Sequence, residues 1–195
     1  MGLRESKKDK TRRQLLDTAL DLFTRQGYEE TTIAEIAAQV EVSPRTLLRY
    51  FPTKEDIVVS WIEDSMSNFL TGLADRPPGE TVQQSLIACA RTLLATYESR
   101  KAFYLTLERV IAASRPIADR KQAMTANLAD EVAEEILRSR GARAPDVLAC
   151  HVYPQALFAV IRAVITRWVA AGGKPSLQGL FDEALRLVDF EPKRS

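Results

Sequence analysis

The chain is poor in the residues that carry most enzyme chemistry. Of its 195 residues one is histidine, His151, and two are cysteines, Cys89 and Cys150. A lone histidine excludes a His-rich metal site and any catalytic apparatus that needs several. Two cysteines are too few for a disulfide framework and read as small buried apolar residues in a reducing compartment. There is no nucleophile elbow, no glycine-rich phosphate loop and no metal-spaced cluster. Catalytic residues, cofactors and metal ions are therefore not expected. No apolar run approaches the ~20 residues that span a bilayer, and the opening MGLRESKKDK lacks the apolar core of a signal peptide. No membrane partner and a cytoplasmic location are the expectations. Period-2 alternation, internal repeats and low-complexity segments are also missing, which argues against half-buried strands and repeat architectures.

What remains is ordinary globular material. Hydrophobic residues make up 46% and charged residues 27%, with a net charge of +1. That suits one core, or two small ones, and excludes disorder as the dominant state. The charge is unevenly placed. Residues 1–13 carry Arg4, Lys7, Lys8, Lys10, Arg12 and Arg13 against Glu5 and Asp9, a net of +4. A basic arm ahead of a helix can reach a polyanion, and it can also be a solvated tail.

The whole chain reads as helix, with about nine helices marked by periodicity and caps. The first spans 10–26, where Leu15, Leu16, Ala19, Leu20, Leu22 and Phe23 share a face and Gly27 ends it. Thr32 to Glu35 forms a capping box opening the second helix. Ser43 and Pro44 open a short third helix, 44–50, and Thr53 caps a fourth. Further helices are expected over about 81–98, 101–113 and 116–140. An eighth is expected over about 145–171, kinked or divided at Pro154, and a last one over about 176–188.

The second and third helices are separated by a turn of about three residues, the helix-turn-helix spacing. Ile33, Ile36, Ala37 and Val40 face the first helix, and Leu47 and Phe51 continue that core from the third. Arg45, Thr46, Arg49 and Tyr50 are left on its outer face. Arginine can fork to guanine O6 and N7, threonine offers a methyl or hydroxyl, and tyrosine can reach phosphate. The helix starts at Thr32 and at Thr53-Lys54 present free amides and partial positive charge for phosphates. A protein-docking bundle is the alternative for such spacing alone.

The combination Gly27-Tyr28, Thr31-Thr32-Ile33, Ile36-Ala37, Val42-Ser43, Thr46-Leu47, Tyr50-Phe51 and Lys54-Glu55 resembles the DNA-binding domain of the TetR family of bacterial transcriptional repressors. The resemblance covers about residues 10–57. It implies an all-α fold, with a three-helix helix-turn-helix domain over residues 1–54 and a helical effector-binding and dimerisation domain over 55–195. It implies a homodimer on a double-stranded DNA operator and a small-molecule effector. The DNA-binding residues it implies are Thr32, Ser43, Arg45, Thr46, Arg49, Tyr50 and Lys54. Two positions depart from the family pattern. Glu41 stands where glycine is frequent, at a cost on the order of 1 kcal/mol if the turn needs a positive φ. Leu48 stands where tyrosine is frequent, which trades a phosphate contact for possible packing on a thymine methyl.

The wording around the third helix, with Trp168 late in the chain, is similar to a TetR subgroup with an acyl-CoA-like ligand. Candidate pocket residues are Phe69, Leu93, Tyr97, Phe103, Tyr104, Leu107, Met124, Leu128, His151 and Phe158, for each of which core packing is the alternative. His151 is expected in the core or at the pocket edge. Arg109 and Arg162 lie in apolar stretches and would meet an anionic ligand group or a carboxylate. The last two helices carry apolar stripes, Leu157, Ile161, Val164, Ile165 and Trp168, then Leu177, Leu180, Phe181, Ala184, Leu185 and Val188. They would pair across a twofold axis or pack within one chain. A ligand-responsive DNA-binding regulator is the leading expectation. A helical lipid- or CoA-handling enzyme and a helical interaction protein are the alternatives.

Overall fold

The structure is a computed structural model, described over residues 3–77, 79–140 and 147–190, with the side chains of 3–7 and 140 outside the description. Its elements are α1 (Leu3–Gln26), α2 (Ile33–Gln39), α3 (Pro44–Tyr50), α4 (Lys54–Ala74), α5 (Val82–Ser99), α6 (Lys101–Ala113), α7 (Arg115–Arg140), α8 (Val147–Ala170) and α9 (Leu177–Leu187). The fold is all-α, as expected. Most boundaries fall within two residues of the sequence reading, because caps fix them. Ser43, Thr81 and Ser176 each accept from the amide three residues on. The main difference is α1, which begins at Leu3 instead of near residue 10. Residues 3–10 contain no glycine or proline, so nothing in them stops the helix from extending. The expected basic arm is therefore helical from Leu3. The cap at Pro145 and the tail 191–195 lie outside the described residues.

The residues group into two compact units, Met1–Ile62 with Ala102–Ala118, and Glu63–Lys101 with Asp119–Ser195. This differs from an expected division at 54/55, since the first turns of α4 and all but the first residue of α6 belong with α1–α3. The first unit buries Leu15, Leu16, Ala19, Leu20 and Phe23 of α1 against Ile36 and Ala37 of α2, Leu47 of α3, and Ile57 and Val58 of α4. Trp61 and Phe103 meet edge to face at 4.9 Å, and Phe103 meets Tyr104 at 4.8 Å.

In the second unit α8 packs on α9 and both pack on α5. Polar ties from α5 hold α9. Glu98 Oε1 accepts from the Leu177 amide at 2.6 Å and the Ser176 hydroxyl at 3.1 Å. Arg91 donates to Asp182 at 2.7 Å, and Gln178 donates back to the Arg91 carbonyl at 2.9 Å. Helix α8 is continuous, with Pro154 buried inside it, so of the kink or division expected there the division does not occur. By length and composition α8 is apolar enough to cross a bilayer, with mean hydropathy 1.5 over an 18-residue window. That corrects the expectation that no run approaches spanning length. Nine of its residues, Cys150 to Trp168, are buried in the unit, the pattern of a core helix.

Candidate nucleic-acid interface

Helix α2 starts from the capping box read in the sequence. Thr32 Oγ1 accepts from the Glu35 amide at 3.2 Å, and Glu35 Oε2 accepts from the Thr32 amide at 2.8 Å. The Thr32 amide, then its hydroxyl, hold the Glu35 carboxyl below its ordinary range. At its far end the Val42 amide donates to Ala37 O at 2.9 Å and the Glu41 amide to Ala38 O at 3.1 Å. This is a Schellman end, and it places Glu41 at φ 56. The turn thus needs the left-handed conformation at the position where glycine is missing.

Helix α3 follows at once. Ser43 caps it, its Oγ accepting from the Thr46 amide at 3.1 Å and lying 2.9 Å from the Thr46 hydroxyl. Pro44 fits the first helical position because no amide is required there. Leu47 and Phe51 are buried and set the rotation of the helix. Arg45 and Arg49 are exposed on the opposite face, and Thr46 and Tyr50 are half-buried. The Arg49 guanidinium lies 5.8 Å from the Tyr50 ring, and Arg12 of α1 lies 5.6 Å from the Phe51 ring. An open, mostly polar concavity is lined by Ser43, Arg45, Thr46, Leu48 and Arg49. Leu48, which the sequence marked as a departure from the family pattern, is 42% exposed in that lining.

Lys54 is placed differently from the other candidates. Its ammonium donates to Tyr28 O at 2.6 Å and Thr31 O at 3.2 Å, and sits 4.2 Å from the Tyr28 ring. It clamps the loop between α1 and α2, whereas the expected orientation was toward phosphate. Burial, with Glu55 and Glu29 beside it, pushes the Tyr28 phenol up, so the ring stays neutral under the cation. The start of α4 is capped as well, Thr53 Oγ1 accepting from the Asp56 amide at 3.1 Å.

The ten pocket candidates divide between the units. Phe103, Tyr104 and Leu107 are buried in the first. Phe69 and Phe158 come together in the second, with ring centroids 5.2 Å apart. Tyr97 packs on Trp168 at 6.4 Å, Leu128 is buried, and Leu93 and Met124 are half-buried. His151 is exposed on α8, which excludes the core as one of its two expected places, and Arg109 and Arg162 are exposed too.

The dimer stripes also need correction. Leu157, Ile161, Val164, Ile165, Trp168, Leu177, Phe181 and Leu185 are buried within one chain, and Leu180 is half-buried. They are the seam between α8, α9 and α5. The periodicity identified an apolar face correctly but carries no record of which helix covers it. Among the described residues of α8 and α9, the large apolar side chains left exposed are Val147, Leu148 and Val152 on α8 and Leu187 and Val188 at the end of α9.

Residues 15–60 match the sequence profile of bacterial regulatory proteins of the tetR family. The HTH-type transcriptional regulator TcmR of Streptomyces glaucescens is 44% identical over 93 residues, 48% of this chain but only 41% of that relative's length. The fatty acid metabolism regulator protein of Bacillus subtilis is 24% identical over 90% of this chain and 92% of its own. The crystal structure of Thermus thermophilus FadR, a TetR family transcriptional repressor in complex with lauroyl-CoA, superposes with a TM-score of 0.64. It is 23% identical and covers 94% of this chain and 96% of that one. That structural likeness speaks for the fold, while the helix-turn-helix residues and the profile over them speak for the lineage. Residues 15–60 are therefore a DNA-binding domain of the tetR type, and the chain as a whole is similar in fold to a TetR family transcriptional repressor.

Proposed function

We propose that this chain is a homodimeric transcriptional repressor of the cytoplasm. Each protomer's α3 enters a major groove of a near-palindromic operator, and a small apolar or acyl-CoA-like effector releases it. The observation that carries this reading is the exposure of Arg45 and Arg49 together on the face of α3 opposite Leu47, beside the open concavity. Two fork-shaped cations one turn apart suit guanine edges, and a twofold pair of such helices suits a palindrome. Thr32, Ser43, Thr46 and Tyr50 lie near enough in sequence and fold to position the backbone around them.

The effector class is supported by the relatives. The Thermus protein was crystallised with lauroyl-CoA, and the Bacillus relative is named for fatty acid metabolism. The second unit offers an aromatic and aliphatic interior around Phe69 and Phe158 for an acyl chain. Release would follow a shift of α4, and a coupling of roughly 1–3 kcal/mol gives a 5- to 150-fold loss of operator affinity.

Selection of bound duplexes from a random DNA pool tests the reading. Enrichment of one sequence with two inverted half-sites, weakened by an acyl-CoA from a panel of chain lengths, is the expected result. No enrichment would refute DNA recognition, and an affinity indifferent to every acyl-CoA would refute the effector class alone.

A further inference from the structure

We propose that Leu48 reads the 5-methyl group of a thymine next to the guanine contacted by an arginine of α3. The inference rests on the DNA-binding reading above and deepens it. Six large hydrophobic side chains are exposed among the described residues, and five of them lie on α8 or at the C-terminal end of α9. Leu48 is the one in the first unit. It lies in the same concavity as Arg45 and Arg49, one residue from Arg49 and three from Arg45.

The helix geometry limits what it can meet. At about 100° per residue, Leu48 sits about 100° from the buried Leu47, while Arg45 and Arg49 straddle the outward direction. Leu48 therefore borders the arginine pair on one side and Thr46 borders it on the other. The Thr46 hydroxyl is engaged by Ser43 at 2.9 Å, so the polar groups at that edge are occupied by the cap. Leucine has no donor or acceptor and cannot bond phosphate or a polar base edge. The major groove displays one apolar feature, the thymine methyl, and burying Leu48 against it removes apolar surface from water on both sides. An apolar reader beside the arginine pair specifies a half-site in which thymine adjoins guanine.

The test uses the full chain and the duplexes enriched from the random pool. Each thymine of both half-sites is replaced in turn by deoxyuridine, which deletes only the methyl group, and affinity is measured for the wild type and for Leu48→Ala. At one thymine position the wild type should lose roughly fourfold per half-site, the effect of one buried methyl group. Leu48→Ala should bind more weakly to the thymine duplex and show no further loss with uridine. Helical signal and melting identical to wild type would confirm that the variant is folded, as an exposed position allows. Equal uridine losses in both proteins, or no sensitive thymine, would overturn the inference while leaving DNA recognition intact. A pool with no enriched duplex would overturn both.

Discussion

Glu41 holds a φ of 56 so that the chain can turn from α2 into α3. A left-handed residue with a Cβ costs roughly 1–2 kcal/mol, and glycine would recover that less its greater entropy in the unfolded chain. Glu41→Gly should therefore stabilise the protein by up to about 1 kcal/mol in urea unfolding. Destabilisation would mean the carboxylate has a partner that outweighs the strain. Lys54 argues the other way. Its ammonium satisfies the carbonyls of Tyr28 and Thr31 and covers the Tyr28 ring. Lys54→Met keeps the stem and loses those bonds, and should cost about 1–2 kcal/mol. Unchanged stability would return Lys54 to a purely phosphate-facing role. The family resemblance anticipated the Glu41 strain, because glycine is frequent at that position, and the structure places the residue at a positive φ. It missed the Lys54 clamp because the clamp joins residues 23 and 26 apart, and no local pattern encodes that.

At the scale of elements, the capping chemistry makes the helices legible and also makes one of them sensitive to pH. Glu35 titrates below its ordinary value of 4.5 because the Thr32 amide and hydroxyl stabilise its charge. A carboxyl depressed in the folded state contributes fully above the unfolded value, and that contribution fades as pH falls through the folded one. Glu35→Gln keeps a capping partner without the charge. The wild type should hold a higher urea midpoint than Glu35→Gln at pH 7, and the gap should close as the solution is acidified past 4.5. A gap that persists in acid would assign the effect to packing instead of charge. Caps and breakers also explain why most helix ends could be placed from residue types, whereas α1 ran on toward Leu3 in the absence of any breaker. At Pro154 the same reasoning left a kink or a division open, and α8 runs through it undivided.

At the scale of the whole molecule, the buried stripes of α8 and α9 stabilise each chain, so the twofold partner proposed above would use what they leave exposed. Val152 on α8 and Leu187 at the end of α9 are 48% and 81% exposed. The double change Val152→Asp with Leu187→Asp should shift the mass in analytical ultracentrifugation from dimer to monomer without loss of helix. Leu157→Asp, placed in the seam, should unfold the second unit instead. A double variant that stays dimeric would move the interface elsewhere. Amphipathic faces were readable from sequence here, but their assignment to intra- or intermolecular contacts was not, because both bury the same residue types.

The central claim is that the outward arginines of α3 read base edges. It is tested most directly by measuring affinity for the selected duplex with Arg45→Ala and Arg49→Ala, each checked for wild-type melting. Each change should weaken binding to that duplex by roughly tenfold or more and relax the choice of base at one position in each half-site, as loss of a forked arginine–guanine contact does. Binding of wild-type strength and selectivity by both folded variants would contradict the account.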